Sequence, residues 1–472
     1  MYDLIIRGAD VVDPGERTLR QADVALEGGR IAAVGPNLQG EAASELDAAG
    51  LVLQPGVIDT HLHLAPSAKS HAMLARAGVT TCIDMSGPTE KVFQEAREFG
   101  RGLNIAVLNA ILPGRNVSGN DPSAEEIDRF ITQSLAGGAL GVKLLGGHFP
   151  LTPRASARMV KAAADRGVYM AWHAGTTEQG SDLNGLKEAV ALCDGHPLHM
   201  PHLNAYCRGR VKPVLEECEE AASLLEAHPE LVTESYLSAR NGCPLGMQNG
   251  QPKSAIVTKN LAAFGFEPTI EGVRSAILAR RLGVLIPSGD DVAVADGLEG
   301  LEYFNEATEK GRPVDGSFDG VNPFASRAFF ATARRADGSF LIDGISTDGG
   351  GIPRNVILSS GLSLVKLGGL DPVDFAVKTA LLPSLMLGLP QKGTLGIGTD
   401  ADLTIYDPTT QTARHSLVMG RFVLRDGQPA GAGAQAICTA TGAEAARSAG
   451  LDPIVVAGGI AKLDRRKAAG IS

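Results

Sequence analysis

The chain has 472 residues, 44% of them hydrophobic and 20% charged. That suits one large domain with appendages, or two to three domains, and excludes a disordered or fibrous chain. A formal net charge of -10 argues against nucleic acid or an anionic membrane as the main partner, since both select basic patches, and leaves a small solute as the default.

The six cysteines show neither CxxC pairing nor the density of a disulfide scaffold, so reduced thiols are expected. The N-terminal MYDLIIRGADVVD lacks the basic lead and apolar run of a secretory leader. No later segment reaches the roughly 18 unbroken apolar residues of a membrane span. These features predict a cytoplasmic protein.

In chain order, residues 2–53 alternate apolar and polar positions between Gly and Pro breaks, which predicts a small sheet module. The same texture returns in GTLGIGTDADLTIYDP and HSLVMGRFVLRDG, so residues 1–54 and 391–429 are expected to build one β-domain from both ends. Between them, apolar strand runs alternate with helical spacing. Strands are predicted at 56–64, 79–85, 104–112, 140–145, 168–173, 197–202, 231–237 and 340–347. SAEEIDRFITQSLAGG between two of them opens with a Ser and a following Glu, a helix-start signal. Eight such units over 55–390 predict an α/β chain with a (β/α)8 barrel, whose chemistry sits at the C-terminal ends of the strands. The stretch 240–339 is too long for one connection. It carries the helical pattern TIEGVRSAILARRLGV and is expected to be an insertion near the active-site face. The last segment, 430–472, is expected to pack loosely or to serve subunit contacts.

Strand periodicity puts Asp59, His61 and His63 on one face near a strand end, where both imidazoles can reach one ion. A lone His-x-His fits a polar strand end equally well. His173 and His202 end the fifth and sixth strands, at corresponding positions, and it is this placement that favours metal. His196 and His199 read as structural. Lys143 is an ammonium on a strand that should point into a crowded barrel. Burial would lower its pKa and let it react with carbon dioxide to give a carbamate able to bridge two metal ions; a snorkelling or ion-paired lysine is the plain alternative. Asp348 ends the eighth strand before three glycines, as a metal ligand and base or as a simple turn residue.

Taken together, PGVIDTHLH, GALGVK, the strand-end His173 and His202, STDGGG and KGTLGIGTDADLTIYD resemble the metal-dependent amidohydrolase superfamily over roughly residues 2–428. The lysine resembles the dihydroorotase, hydantoinase and urease-like branch. The layout is also similar to N-acyl-D-amino-acid deacylases, although the cysteine expected as a metal bridge there is not evident and Cys82 is the fallback. The resemblance implies a TIM-like barrel beside a β-sandwich drawn from both termini, and a binuclear centre, usually of zinc. His61, His63 and Asp348 would hold one ion and His173 and His202 the other, with carboxylated Lys143 between them.

The chemistry implied is attack of metal-activated hydroxide on the carbonyl of a C–N amide bond. Asp348 takes the proton and passes it to the departing nitrogen. The expected substrates are small cyclic amides or ureides and N-acyl amino acids. An ester hydrolase or a deaminase using the same site, or a noncatalytic hydantoinase-like scaffold, are the alternatives. His148, five residues after Lys143, is expected to polarise a carbonyl or bind a leaving group, an exposed loop histidine being the plain alternative. Tyr206, Arg208, Arg240 and Arg354 follow strand ends, where guanidinium groups can hold a substrate carboxylate, surface placement being the plain alternative. No nucleotide fingerprint is present, SGDDVAVADG lacks calcium-loop spacing, and the resemblance leaves room for a homo-oligomer.

Overall fold

The structure is a computed structural model and describes residues 1–64 and 68–471. Its centre is a parallel sheet whose strands we number β1 (Val57–His63), β2 (Val79–Asp84), β3 (Arg101–Ala110), β4 (Gly141–Leu145), β5 (Tyr169–His173), β6 (His199–Met200), β7 (Val232–Tyr236) and β8 (Gly344–Ser346). Each pairs with the next in parallel. Closure comes from one continuous segment: Gly344–Ser346 pairs with β7, while Gly349–Gly350, just beyond, pairs with Leu62 and His63 of β1. The eight expected strands are therefore all present, and the sheet closes into an α/β barrel.

Helices cover the outside, and their faces follow from spacing. In Ala124–Ala136 the buried residues Ile127, Phe130, Ile131 and Ser134 fall at the i, i+3, i+4, i+7 positions of one stripe. The expected start signal is a reciprocal cap: Ser123 Oγ accepts from the Glu126 N–H, and the Glu126 carboxylate accepts from the Ser123 N–H.

Among the described residues, both ends of the chain feed a second, nine-stranded sheet in which Val52–Pro55 pairs antiparallel with Leu403–Asp407. It closes over its own apolar core, including Ile6, Val24, Leu53, Leu403 and Leu417.

Two parts differ from expectation. The insertion is not only helical. Cys243–Pro244, Leu282–Ser288, Asp291–Ala295 and Asp315–Phe318 form a four-stranded antiparallel sheet with a separate core that includes Val257, Ile277, Val284 and Phe304. The helix expected through Val284 stops at Leu278, because Arg280 adopts a left-handed backbone (φ 57°) and the following apolar run pairs as a strand. The hairpin tip returns to the barrel, where Gly289 and Asp290 carbonyls accept from Lys69 Nζ and Arg76 NH1.

Nor does the tail pack loosely. Gly433–Thr439 runs parallel to the first half of β3, and Asp452–Val456 pairs beside it. The second half of β3 pairs with β4, so the tail strand enters a fork at the N-terminal end of the barrel. Further on, Arg465 reaches under β7 and β8. Its Nε and NH2 donate to the fully buried Asp343 carboxylate at 2.6 and 2.9 Å, and its remaining N–H groups reach the Pro229 and Leu231 carbonyls. A buried guanidinium with four acceptors is a fixed joint.

Candidate metal centre

At the C-terminal ends of the strands, His61, His63 and Asp348 present ligand atoms that all lie within 4.8 Å of one another. Asp348 Oδ1 stands 3.2 Å from His63 Nε2 and 3.5 Å from His61 Nε2. Beside them, His173 Nδ1 and His202 Nε2 meet at 2.9 Å, with the His61 and His202 ring centroids 5.0 Å apart. Lys143 Nζ stands 3.2 Å from His61 Nε2.

The backbone bends to make this possible. His202 and Asp348 both adopt left-handed conformations, φ 42° and 52°, at the residue where the chain leaves its strand. Such positions cost of order 1 kcal/mol each and persist where the surroundings over-determine them. Here the Asp348 N–H donates to the His61 carbonyl at 2.8 Å, tying the eighth strand end to the first.

The outer nitrogens of three of the four histidines are held as well, and His202 Nδ1 is buried without a partner. His61 Nδ1 lies 2.7 Å from Glu234 Oε1, His63 Nδ1 3.1 Å from Ser86 Oγ, and His173 Nε2 2.8 Å from Ser181 Oγ. Sequence reasoning passed over these partners. For Glu234 a signal existed: a carboxylate in the middle of an apolar parallel strand is as anomalous as Lys143.

The charges follow from burial. Burial drives His61, His173 and His202 well below the ordinary imidazole pKa, so they are neutral, as a ligand nitrogen must be. It pulls Lys143 down to about 8 against the carboxylates of Asp348 and Glu234. No carboxylate lies within 4.0 Å of its Nζ among the described residues, so the ion-paired alternative does not apply. Burial also pushes the Asp348 carboxyl up, but Arg354, His61 and His63 outweigh it and hold the group well below the usual range. Glu234 is pushed up to about 8. Neutral imidazoles around an ionised carboxylate form a donor set that fits divalent zinc.

Above these residues opens a cavity of about 570 Å³, walled by the loop after β4, by the strand ends and by insertion residues such as Asn241, Gly242 and Asn260. His148, Arg208 and Arg354 stand on its wall, as does Arg210, which sequence reasoning missed. Arg354 NH1 reaches Asp348 Oδ2 at 3.1 Å while its guanidinium lies 4.3 Å from the centre of the Tyr236 ring. Its Nε and NH2 are buried without partners.

Two expected contacts fall elsewhere. Tyr206 packs behind the cavity against His202, its hydroxyl accepting from the Ala174 N–H at 2.9 Å. Arg240 is absent from the wall because the chain turns there into the insertion. Its backbone is held by Ser238 and Asn322, and the next two residues face the cavity instead. Cys82, the fallback ligand, is fully buried in the apolar core, where burial first, then Asp59 and Asp84, raises its thiol well above the ordinary range.

No family model matches the chain. It is 30% identical over 302 residues to adenine deaminase 2 of Rhizobium johnstonii, covering 57% of this chain and 48% of that one. It is 40% identical over 92 residues to an allantoinase of Salmonella newport, covering 18% and 20%. The chain thus spans about half the length, or less, of these curated relatives. In three dimensions it is similar to the N-acyl-D-glutamate deacylase of Bordetella bronchiseptica complexed with zinc and a phosphonate inhibitor (TM-score 0.66, 15% identity, 92% and 99% of the two chains). It is also similar to a D-aminoacylase described with a binuclear metal centre (TM-score 0.64, 18% identity, the same coverage). With a barrel closed through Asp348 and a flanking sheet from both ends, the chain has the fold of these solved structures.

Proposed function

We propose that the chain is a metal-dependent hydrolase of a C–N amide bond in a small cyclic amide or ureide or an N-acyl amino acid, with a carboxylate on the substrate. The observation that carries this reading is the meeting of two donor sets at Lys143, beneath a cavity walled by Arg208, Arg210 and Arg354.

His61, His63 and Asp348 would hold one divalent ion and His173 and His202 a second, zinc being the best match to the donors. Bound there, the ions would lower the pKa of water and polarise the scissile carbonyl. Lys143 supplies the link between the two sets. Its neutral amine adds to carbon dioxide with loss of one proton, which replaces a buried cation by a two-oxygen anion.

Asp348 is the base. Arg354 keeps it ionised, and its position beside both histidines lets it take a proton from water and return it to the departing nitrogen. The two unpartnered Arg354 nitrogens and the neighbouring arginines favour a substrate carboxylate on the same wall. No helix among the described residues is long and apolar enough to cross a membrane, and all six cysteines are buried and unpaired, which suits a reducing cytoplasm.

The test is metal analysis of the purified protein together with a panel of cyclic ureides, lactams and N-acyl D- and L-amino acids. Asp348→Asn is expected to lower turnover at least about 100-fold. Protein without near-stoichiometric metal, with turnover indifferent to that substitution, would sink the proposal. The match to adenine deaminase 2 supports a second reading, deamination of an amino-substituted ring, which ammonia release from adenine would detect.

A further inference from the structure

We infer that Glu234 is a positioning residue that fixes the tautomer of His61 and holds the two halves of the metal centre in register. It sits in the middle of β7, fully buried, and its carboxylate touches three other parts of the barrel. Oε1 receives the His202 backbone N–H at 2.9 Å and faces His61 Nδ1 at 2.7 Å; Oε2 accepts from the hydroxyl of Ser346, two residues before Asp348. One side chain therefore links the strand of His61, the strand end of His202 and the approach to Asp348.

The tautomer follows from donor and acceptor accounting. A backbone N–H can only donate, so Oε1 is an acceptor. On the other side of the ring the Lys143 ammonium, which can only donate, faces Nε2 from 3.2 Å, so the neutral ring carries its proton on Nδ1, toward Glu234 Oε1 at 2.7 Å. Nε2 then keeps its lone pair as the acceptor for Lys143 Nζ. The other ligand histidines have no such constraint. His63 and His173 rest on serine hydroxyls, which donate or accept equally well, and His202 Nδ1 has no partner. Among the described residues, the Glu234 carboxylate is the one that binds the far nitrogen of a candidate ligand. Losing a partner of this kind costs typically 10–100-fold in metal affinity.

The consequence for metal rests on the proposed centre, but the tautomer is a property of the metal-free protein, so the two can fail separately. Protein labelled with 15N-histidine is to be compared as wild type, E234Q and E234A, with the His61 ring assigned by its loss in H61N. Zinc affinity is to be read by competition with a chromophoric chelator. We expect a single Nδ1–H tautomer for His61 in the wild type. The glutamine oxygen can still accept both bonds, so E234Q should keep that tautomer with zinc affinity within about threefold. E234A should show a tautomer mixture and bind zinc about 10–100-fold more weakly. His61 protonated at Nε2 in the wild type, or E234A with unchanged tautomer and affinity, would overturn the inference. If the wild type took up no zinc while E234A still released the tautomer, the tautomer assignment would stand and the metal reading would fall.

Discussion

Replacing Arg465 by methionine is expected to be among the most costly single changes outside the metal centre. The side chain donates four hydrogen bonds beneath the barrel, two of them to Asp343, which has no exposed surface. Methionine fills similar volume, so the loss is one of charge and hydrogen bonding more than of packing. Asp343 keeps the Thr233 N–H at 2.9 Å as a partner, but the guanidinium that balances its charge is gone. Breaking a buried pair from one side costs about 3–5 kcal/mol. The assay is urea unfolding followed by fluorescence of the single tryptophan, Trp172, which is fully buried on β5 and reports the barrel directly. Asp343→Asn, alone and combined with Arg465→Met, completes a cycle in which a coupling of about 2 kcal/mol is expected. A cost for R465M below about 1 kcal/mol, or additivity within about 0.5 kcal/mol, would refute the tail as a joint of the barrel.

Lys378 is fully buried, donating to the Ala331 carbonyl and lying over the Phe340 ring, and burial lowers its pKa from 10.5 to about 7. The unfolded chain therefore binds one more proton between those values. Wild type should gain stability relative to Lys378→Met as pH rises from 7, by up to about 1.4 kcal/mol per unit, and equal urea midpoints at pH 6.5 and 9 would contradict it. Gly350 has φ 79°, and a Cβ there would lie 2.3 Å from the His63 carbonyl oxygen. Gly350→Ala should cost more than about 1 kcal/mol and reduce metal retained on dialysis, because it pushes the closing segment off β1. Wild-type metal content in that variant would show that the bridge at 349–350 does not shape the site.

The strands were legible because a parallel barrel buries both faces, so each strand reads as a short apolar run between breaks. Against that background a charge or imidazole at the end of a run stands out, which is how His173, His202 and Asp348 were singled out as candidates. Lys143 lay inside a run and was singled out the same way; Glu234 gave an equal signal and was passed over because a carboxylate there has no familiar spacing to its partners. The insertion and tail were harder. Their strands are short, and Gly433–Thr439 earns its place only by meeting β3 more than 300 residues earlier, which no local pattern encodes. Arg240 was misassigned for a related reason: following a strand end does not say which way the chain turns next.

The antiparallel pairing of Val52–Pro55 with Leu403–Asp407 brings together segments some 350 residues apart, and the Arg465 joint adds a still later stretch. A chain growing from the ribosome can make β1 to β7 in sequence, but the sheet beside the barrel waits for its second half. The strand carrying His61 and His63 emerges directly after one of these waiting edges. Completion of the fold is therefore tied to late synthesis, and the early half must spend that interval with unpaired strand edges, the period in which assistance from chaperones matters most.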